Sequence, residues 1–193
     1  MPAPPKHRGA IVRAAATLFR RHGFAATGVN EIVAESGAPK GSLYHYFPEG
    51  KDQIAEAAVR FAGAGTVATL EQLARETSSG AALVQAYCKL VAEWMAKSGF
   101  RDGSPIATTL LEAAPRSEKI TAAGREVFDN WRDVIARKLR DDGFGKVEAN
   151  RLALLSIAAI DGALILARVQ GSSAPLDDVA RALAMSLRPR RAS

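Results

Sequence analysis

The sequence contains few of the residues on which disulfide-bonded proteins and metalloenzymes depend. It has one cysteine, Cys88, and three histidines that lie far apart, His7, His22 and His45. A single cysteine excludes an internal disulfide and a multi-cysteine zinc site, and the histidines lack the spacing of paired helical ligands. We therefore expect neither a metal site nor a cofactor.

Aromatic residues and β-branched alternation are also scarce, whereas alanine is abundant. Aromatic residues make up 6% of the chain, and 38 of the 193 residues are alanine. Alanine is the best helix former, and apolar residues recur mainly at helical spacing. The sequence therefore predicts an all-α protein of about nine helices.

The charge is unevenly distributed along the chain. The formal net charge is +6, and residues 1–51 hold seven basic and three acidic residues, against 19 and 17 in the remainder. A basic surface favours an anionic partner such as nucleic acid, and most of the excess lies in the first quarter.

One apolar run, residues 152–169, is long enough to resemble a short membrane span. Asp161 lies near its centre, and Arg151 and Arg168 flank it. A central acid is costly in a bilayer, so we expect a helix buried in a core or between subunits, and no membrane. Residues 1–8 lack the apolar run of a secretory signal, which favours a cytoplasmic protein.

Three short helices are predicted within residues 8–47. Apolar residues from Ile11 to Phe19 follow one helical face, and Gly23 provides a stop. Thr27 and Gly28 offer a start for the second helix, which Gly37 closes. Pro39 suits the first position of a third helix, which ends at Phe47 before Pro48.

The second and third helices have the pattern of a helix-turn-helix, whose second helix enters the major groove of DNA. With Leu43 and Phe47 directed to the core, the third helix presents side chains that suit phosphates and base edges, while Gly41 allows a close approach of the backbone. The outward set is Lys40, Ser42, Tyr44 and His45. On periodicity alone, a helical subdomain with a merely solvated polar face is an almost equal alternative.

Further helices are predicted over residues 52–76, 81–97, 105–114, 117–142 and 147–170, followed by a last helix with Pro175 near its start. We expect residues 1–51 to form the DNA-binding domain. Residues 52–193 are expected to form a ligand-binding and dimerisation domain.

Residues 23–54, GFAATGVNEIVAESGAPKGSLYHYFPEGKDQI, resemble the DNA-binding region of the TetR family of bacterial transcription regulators. The shared features are a threonine, an I-V/A-x-x-[AS]-G turn, a K-G-[ST]-L-Y-x-[HY]-F recognition helix and a lysine opening the fourth helix. The FPEGK form, GFRDGSPIATTLLEAA and DGALILARVQGSSAPLDDVARAL resemble a subgroup of multidrug- and flavonoid-responsive repressors. The resemblance covers nearly the whole chain.

This resemblance implies a ligand-responsive repressor that binds a palindromic DNA operator. It implies that Thr27, Lys40, Tyr44, His45 and Lys51 touch phosphates or bases. Pro39 stands where related sequences often have serine, so any contact made by that hydroxyl is lost. The resemblance also implies a homodimer through the last two helices, for which residues 152–166 and 176–187 supply surplus apolar surface.

The resemblance further implies a central pocket for a small, apolar or aromatic effector. Candidate lining residues are Tyr87, Trp94, Met95, Phe100, Phe128, Trp131 and Asp161. Each of the apolar candidates is equally suited to an ordinary core. Asp161 is more suggestive, because a buried acid needs a partner, a cation or a proton. Its alternative is pairing with a nearby arginine or capping of a helix.

Two other functions compete with this interpretation. Residues 63–68 fit the G-x-G-x-x-[GA] dinucleotide fingerprint, but that motif requires a preceding strand and these residues follow a helical segment. No nucleophile, base and orienting group can be assembled, so we do not expect an enzyme. The second competitor is a dimeric DNA-binding regulator without a ligand, and activation is an alternative to repression.

Overall fold

The computed structural model describes residues 7–188, and the regular structure in that range is helical throughout. Nine α-helices occur there, as the sequence predicts. Their bounds are α1 Arg8–His22, α2 Val29–Ser36, α3 Lys40–Tyr46, α4 Lys51–Glu76, α5 Gly80–Lys97, α6 Pro105–Ala113, α7 Glu118–Asp141, α8 Lys146–Gln170 and α9 Ala174–Ser186. The all-α expectation is confirmed.

The helix ends follow local chemistry. Gly37 ends α2 in the left-handed conformation, with φ 62°, which a residue with a side chain seldom adopts. The side chains of Ser79 and Ser104 accept hydrogen bonds from the backbone N–H groups of Ala82 and Ala107. These serines therefore satisfy N–H groups that lack a partner within α5 and α6.

Two details at the helix starts differ from the predictions. Pro39 is the cap residue immediately before α3 rather than its first residue. Gly28 caps α2, whereas the Thr27 hydroxyl donates a hydrogen bond of 2.7 Å to the Gly23 carbonyl. Thr27 therefore fixes the preceding turn and leaves the first N–H groups of α2 without a side-chain cap.

The packing divides the chain into two compact units. The first contains the residues up to Ala64 together with Ser104–Val127, and the second contains Gly65–Gly103 and the residues from Phe128 onward. Helices α4 and α7 each contribute residues to both units. The predicted functional division after residue 51 is a separate matter and stays a prediction.

The first unit is built around α1. Its Ile11, Leu18 and Phe19 side chains are buried, and α1 packs against α2, α3 and α6. Leu43 of α3 and Phe47 also join this core, with no exposed surface. The apolar faces predicted for the first three helices are thus the faces that pack, and the opposite face of α3 stays outside.

In the second unit, α5 packs against both α8 and α9, and α8 packs against α9. Leu176, Leu183 and Leu187 are buried in this packing. The expectation that the apolar face of residues 176–187 is available to a second subunit is therefore wrong for these leucines. An amphipathic helix buries its apolar face wherever a partner is offered, and here α5 and α8 of the same chain offer it.

The dinucleotide fingerprint is a coincidence of small residues. Residues 63–68 lie inside α4, so a helix precedes them as well as follows them. A Cβ atom on Gly63 would stand 2.3 Å from a methyl group of Val127. Gly63 is therefore required for close packing of two helices.

Candidate nucleic-acid interface and effector site

Helices α2 and α3 form a helix-turn-helix whose turn contains Gly37. Ile32 and Val33 of α2 and Leu43 of α3 are buried, which fixes the two helices against α1. The Ser36 hydroxyl accepts from the Ala38 N–H across the turn at 3.2 Å. The buried side chains leave the opposite surface of α3 free for a ligand.

The exposed surface of α3 is polar and aromatic. Lys40, Gly41 and His45 are exposed, Ser42 is half-buried, and Tyr44 exposes 64% of its surface. An ammonium group, a hydroxyl, a phenol and an imidazole can each contact phosphates or base edges. The five residues predicted on α3 thus lie together on one accessible helix.

The other two predicted DNA contacts, Thr27 and Lys51, lie outside α3, and both bond to the turn between α1 and α2. Thr27 is fully buried and its hydroxyl is bonded to Gly23, so its side chain is not available to DNA. Lys51 donates to the Ala25 carbonyl at 3.2 Å and lies 4.4 Å from the centroid of the Phe24 ring. Partial burial lowers the pKa of Lys51, and the nearby Glu112 carboxylate opposes that shift.

Helix α8 presents a second, very different exposed surface. We call it the outer face of α8, defined by Val147, Leu154, Leu155, Ile165, Leu166 and Val169, all of which are exposed. Large apolar side chains grouped on one helix commonly mark a protein or membrane contact. The residues 146–170 are long and apolar enough to cross a membrane by length and composition.

The candidate effector residues all lie in the second unit. Tyr87, Met95 and Trp131 are buried, and Phe128 packs edge-to-face on Trp131 with ring centroids 5.3 Å apart. Phe100 is half-buried, and Trp94 exposes 45% of its surface. Exposure of Trp94 fits the rim of a binding site better than its interior.

Asp161 occupies a largely buried position on α8. Burial raises the pKa of Asp161 to about 6, and burial also raises the pKa of Tyr87 to about 12. The Asp161 charge contributes to the shift of Tyr87, and the Thr66 side chain hydrogen-bonds to the phenol. Within residues 7–188 no arginine pairs with Asp161, so the structure does not support the alternative of an ion pair.

Two protein families match the sequence. Residues 11–58 match the family described as bacterial regulatory proteins, tetR family. Residues 80–182 match the family described as transcriptional regulator LmrA/YxaF-like, C-terminal domain. The first match contains the helix-turn-helix, and the second contains all seven candidate effector residues.

Full-length relatives and a solved structure agree with these matches. The HTH-type transcriptional regulator YxaF of Bacillus subtilis (strain 168) is 37% identical over 88% of each chain. The HTH-type transcriptional regulator MT0206 of Mycobacterium tuberculosis (strain CDC 1551 / Oshkosh) is 35% identical over 93% of this chain and 92% of its own. The crystal structure of regulatory protein TetR from Rhodobacter sphaeroides shares the fold, with a TM-score of 0.82, 23% identity, and coverage of 93% of this chain and 97% of that one.

Proposed function

The chain belongs to the TetR family of bacterial regulatory proteins and is a TetR-type transcriptional regulator, and we propose that it is a repressor released from DNA by a small effector. Members of this family bind DNA and act as dimers, and they are regulators rather than enzymes. The observation that carries the proposal is the helix-turn-helix with its accessible, polar α3 surface.

In this proposal α3 enters the major groove. Lys40, Ser42, Tyr44 and His45 supply the contacts, and Gly41 allows the helix backbone to approach. Two α3 helices in a dimer, separated by about 34 Å, reach successive major grooves on one side of a palindromic operator. Thr27 and Lys51 hold the turn before α2 through their hydrogen bonds to Gly23 and Ala25.

We place the dimer interface on α8 and α9, with the outer face of α8 at its centre. Met185 of α9 is also exposed and adds to the apolar surface available there. A symmetric interface buries the same patch on both subunits, so each exposed leucine contributes two buried copies to the dimer. The buried leucines of α9 support the interface from inside the subunit.

The proposed effector is small and apolar or aromatic. Support comes from the grouping of Tyr87, Met95, Phe128 and Trp131 in one unit and from the match to LmrA/YxaF-like regulators. The resemblance to multidrug- and flavonoid-responsive repressors gives the same ligand class. An effector that binds better when the two α3 helices are differently spaced weakens DNA binding by the same factor, commonly about 5- to 150-fold.

TetR-type regulators are generally cytoplasmic, and we propose the same location here. The outer face of α8 then meets a second subunit rather than lipid, and Asp161 within that helix agrees with this choice.

A footprint on the DNA flanking the gene tests the proposal. We expect protection of a palindrome at nanomolar protein and its loss on addition of an aromatic effector found by a thermal-shift screen. Protection without any stabilising effector would favour the ligand-free regulator, and increased transcription from the protected promoter would favour an activator. Failure to find a specific binding site in either the flanking or the genomic DNA would contradict the proposal.

A further inference from the structure

The turn that joins α1 to α2, residues 23–28, is held by side chains from distant parts of the chain. The Ala25 N–H donates to Glu112 Oε2 of α6, and the Ala25 carbonyl accepts from Lys51 Nζ of α4 at 3.2 Å. Glu112 is 87 positions from Ala25, and Lys51 is 26 positions away. The backbone N–H of Ala25 is therefore bonded to an acidic side chain, and its carbonyl is bonded to a basic one.

The surroundings of the turn are shaped to admit the Glu112 carboxylate. A Cβ atom on Gly23 would stand 2.8 Å from Glu112 Oε1, and Gly23 has a φ of 88°. A side chain at position 23 would displace the carboxylate and strain the backbone. The Lys51 ammonium group over the Phe24 ring closes the other side of the turn.

Two contacts within residues 19–27 also hold the turn: the Thr27 hydroxyl bonds to the Gly23 carbonyl, and the Phe24 ring packs edge-on against Phe19. Ala25 and Ala26 are exposed and small, so neither anchors the turn by packing. Gly28, the cap residue before α2, has no side chain to accept from the first N–H groups of the helix, and its own N–H donates to Glu31 Oε2 at 3.4 Å. Because α2 packs against α3, a shift of this turn would move the recognition helix relative to the groove.

Helix α6 contacts the same region at a second point. The Thr108 hydroxyl lies 3.3 Å from the Phe19 carbonyl near the end of α1, although its shorter bond is to Ser104. Glu112 lies one turn further along α6 and reaches the residues that follow α1. Helix α6 therefore supports the end of α1 and the turn after it.

We propose that Glu112 is a positioning residue for operator binding. Glu112 fixes the α1–α2 turn by accepting from the Ala25 N–H, while Lys51 donates to the carbonyl of the same residue. The position of this turn in turn sets the placement of α2 and α3. This inference rests on the proposed function, since it concerns the affinity for an operator. Glu112 itself makes no contact with DNA in this arrangement. Its contribution is a hydrogen bond with a charged acceptor, which is stronger than a neutral one.

Glu112→Gln and Glu112→Met form a matched pair of variants. Both remove one negative charge at similar side-chain length, but only glutamine retains an oxygen that accepts from the Ala25 N–H. We expect Glu112→Met to bind the operator about tenfold more weakly than Glu112→Gln. Binding to random-sequence DNA and the dependence of affinity on salt should agree between the two variants, because no phosphate contact differs.

Amide exchange of the wild-type protein provides a test that requires no substitution. Ala25 is exposed, so its N–H should exchange rapidly unless the hydrogen bond to Glu112 protects it. We expect at least about tenfold protection by NMR of the deuterated protein in the absence of DNA. The protection should persist largely in Glu112→Gln and be lost in Glu112→Met.

Three results would overturn the inference: equal operator affinity of the two variants, an equal loss for operator and random DNA, or an unprotected Ala25 N–H in the wild type. If Glu112→Met does not fold, the exchange rate of the Ala25 N–H in the wild-type protein still decides. Failure of the proposed function looks different, because the wild-type protein would then bind no specific DNA at all.

Discussion

Helices α3 and α8 both present large side chains to solvent, but the residues around those side chains differ in kind. On α3, Tyr44 stands among Lys40, Ser42 and His45, each of which can form hydrogen bonds. On α8, the residues of the outer face are apolar, although the exposed Arg151 lies beside Leu154 and Leu155 on the same side of the helix.

The two surfaces therefore suit different partners. A polar, basic surface gains from phosphates and base edges, which offer charge and hydrogen-bond acceptors. An apolar surface gains by removal from water, for which a second copy of the same surface is sufficient. The comparison shows that exposure alone does not identify a site, and that the chemistry of the neighbouring residues selects the class of partner.

A charge on the outer face of α8 should have the largest effect. Leu154→Glu places two carboxylates in a symmetric interface, where they would be desolvated without partners. We expect the dissociation constant of the dimer to rise at least about 100-fold, with loss of operator binding. Sedimentation over a range of concentrations measures the first effect. Leu111→Glu, on α6 at 77% exposure, is the matched control and should leave dimerisation unchanged.

Truncation of Tyr44 should have the next largest effect. Tyr44→Ala is expected to weaken operator binding about tenfold, because the side chain that enters the groove loses its ring and its hydroxyl. The thermal midpoint and dimerisation should not change, since 64% of Tyr44 is exposed. Tyr44→Phe removes only the hydroxyl, so it separates the contribution of the hydroxyl to operator affinity from that of the ring. Unchanged operator affinity in Tyr44→Ala would mean that α3 does not lie in the groove.

Removal of one lysine charge on α3 should have a smaller and more specific effect. Lys40→Gln is expected to weaken binding about fivefold and to reduce the salt slope by about one per subunit, if Lys40 contacts a phosphate. Lys89→Gln on α5 makes the same change of charge at an exposed site in the second unit. The two variants should differ in slope when affinity is titrated at several salt concentrations. Equal slopes would contradict a phosphate contact by Lys40.

The smallest effect concerns Asp161, a half-buried acid on the same helix as the apolar outer face. Its folded pKa of about 6 lies above the ordinary value of 3.8. The folded state therefore binds more protons between these values, and stability falls as pH rises from about 4 to 6. At pH 7.5 the carboxylate is charged, and Asp161→Asn should stabilise the protein by about 1 kcal/mol.

Thermal unfolding of both proteins at pH 5 and pH 7.5 tests this expectation. The gain from Asp161→Asn should shrink at pH 5, where the wild-type carboxyl is mostly protonated. Comparing the two proteins at each pH cancels the contributions of the other titrating groups. A gain of the same size at both pH values would show that Asp161 does not titrate in this window.

The parts of the site that lie on one helix could be predicted from the sequence. Lys40, Ser42, Tyr44 and His45 were expected on the outward surface of α3, and the structure places them there. This prediction succeeds because helical periodicity fixes which residues share a face once Leu43 and Phe47 are assigned to the core.

Predictions that depended on neighbouring elements were less successful. The sequence indicated that Thr27 lies near a helix start, but not that the side chain would be buried, with its hydroxyl bonded to the Gly23 carbonyl four positions earlier. The periodicity of α9 identified an apolar face, but not whether α5 or a second subunit would cover it. Glu112 was missed, because nothing near it in the sequence points to Ala25.

The sequence by itself determined the helices, the helix-turn-helix and the family, because these depend on residues within a few positions of one another. Only the tertiary structure decided which side of α9 is covered, where Lys51 and Thr27 point, and that Glu112 meets the α1–α2 turn. Apart from the bond between Thr27 and Gly23, these contacts join residues far apart in the chain, and each forms only when the core of its own unit packs. Local propensity therefore specifies the helices, whereas the complementarity of their packed surfaces specifies which side chains remain free to bind a partner.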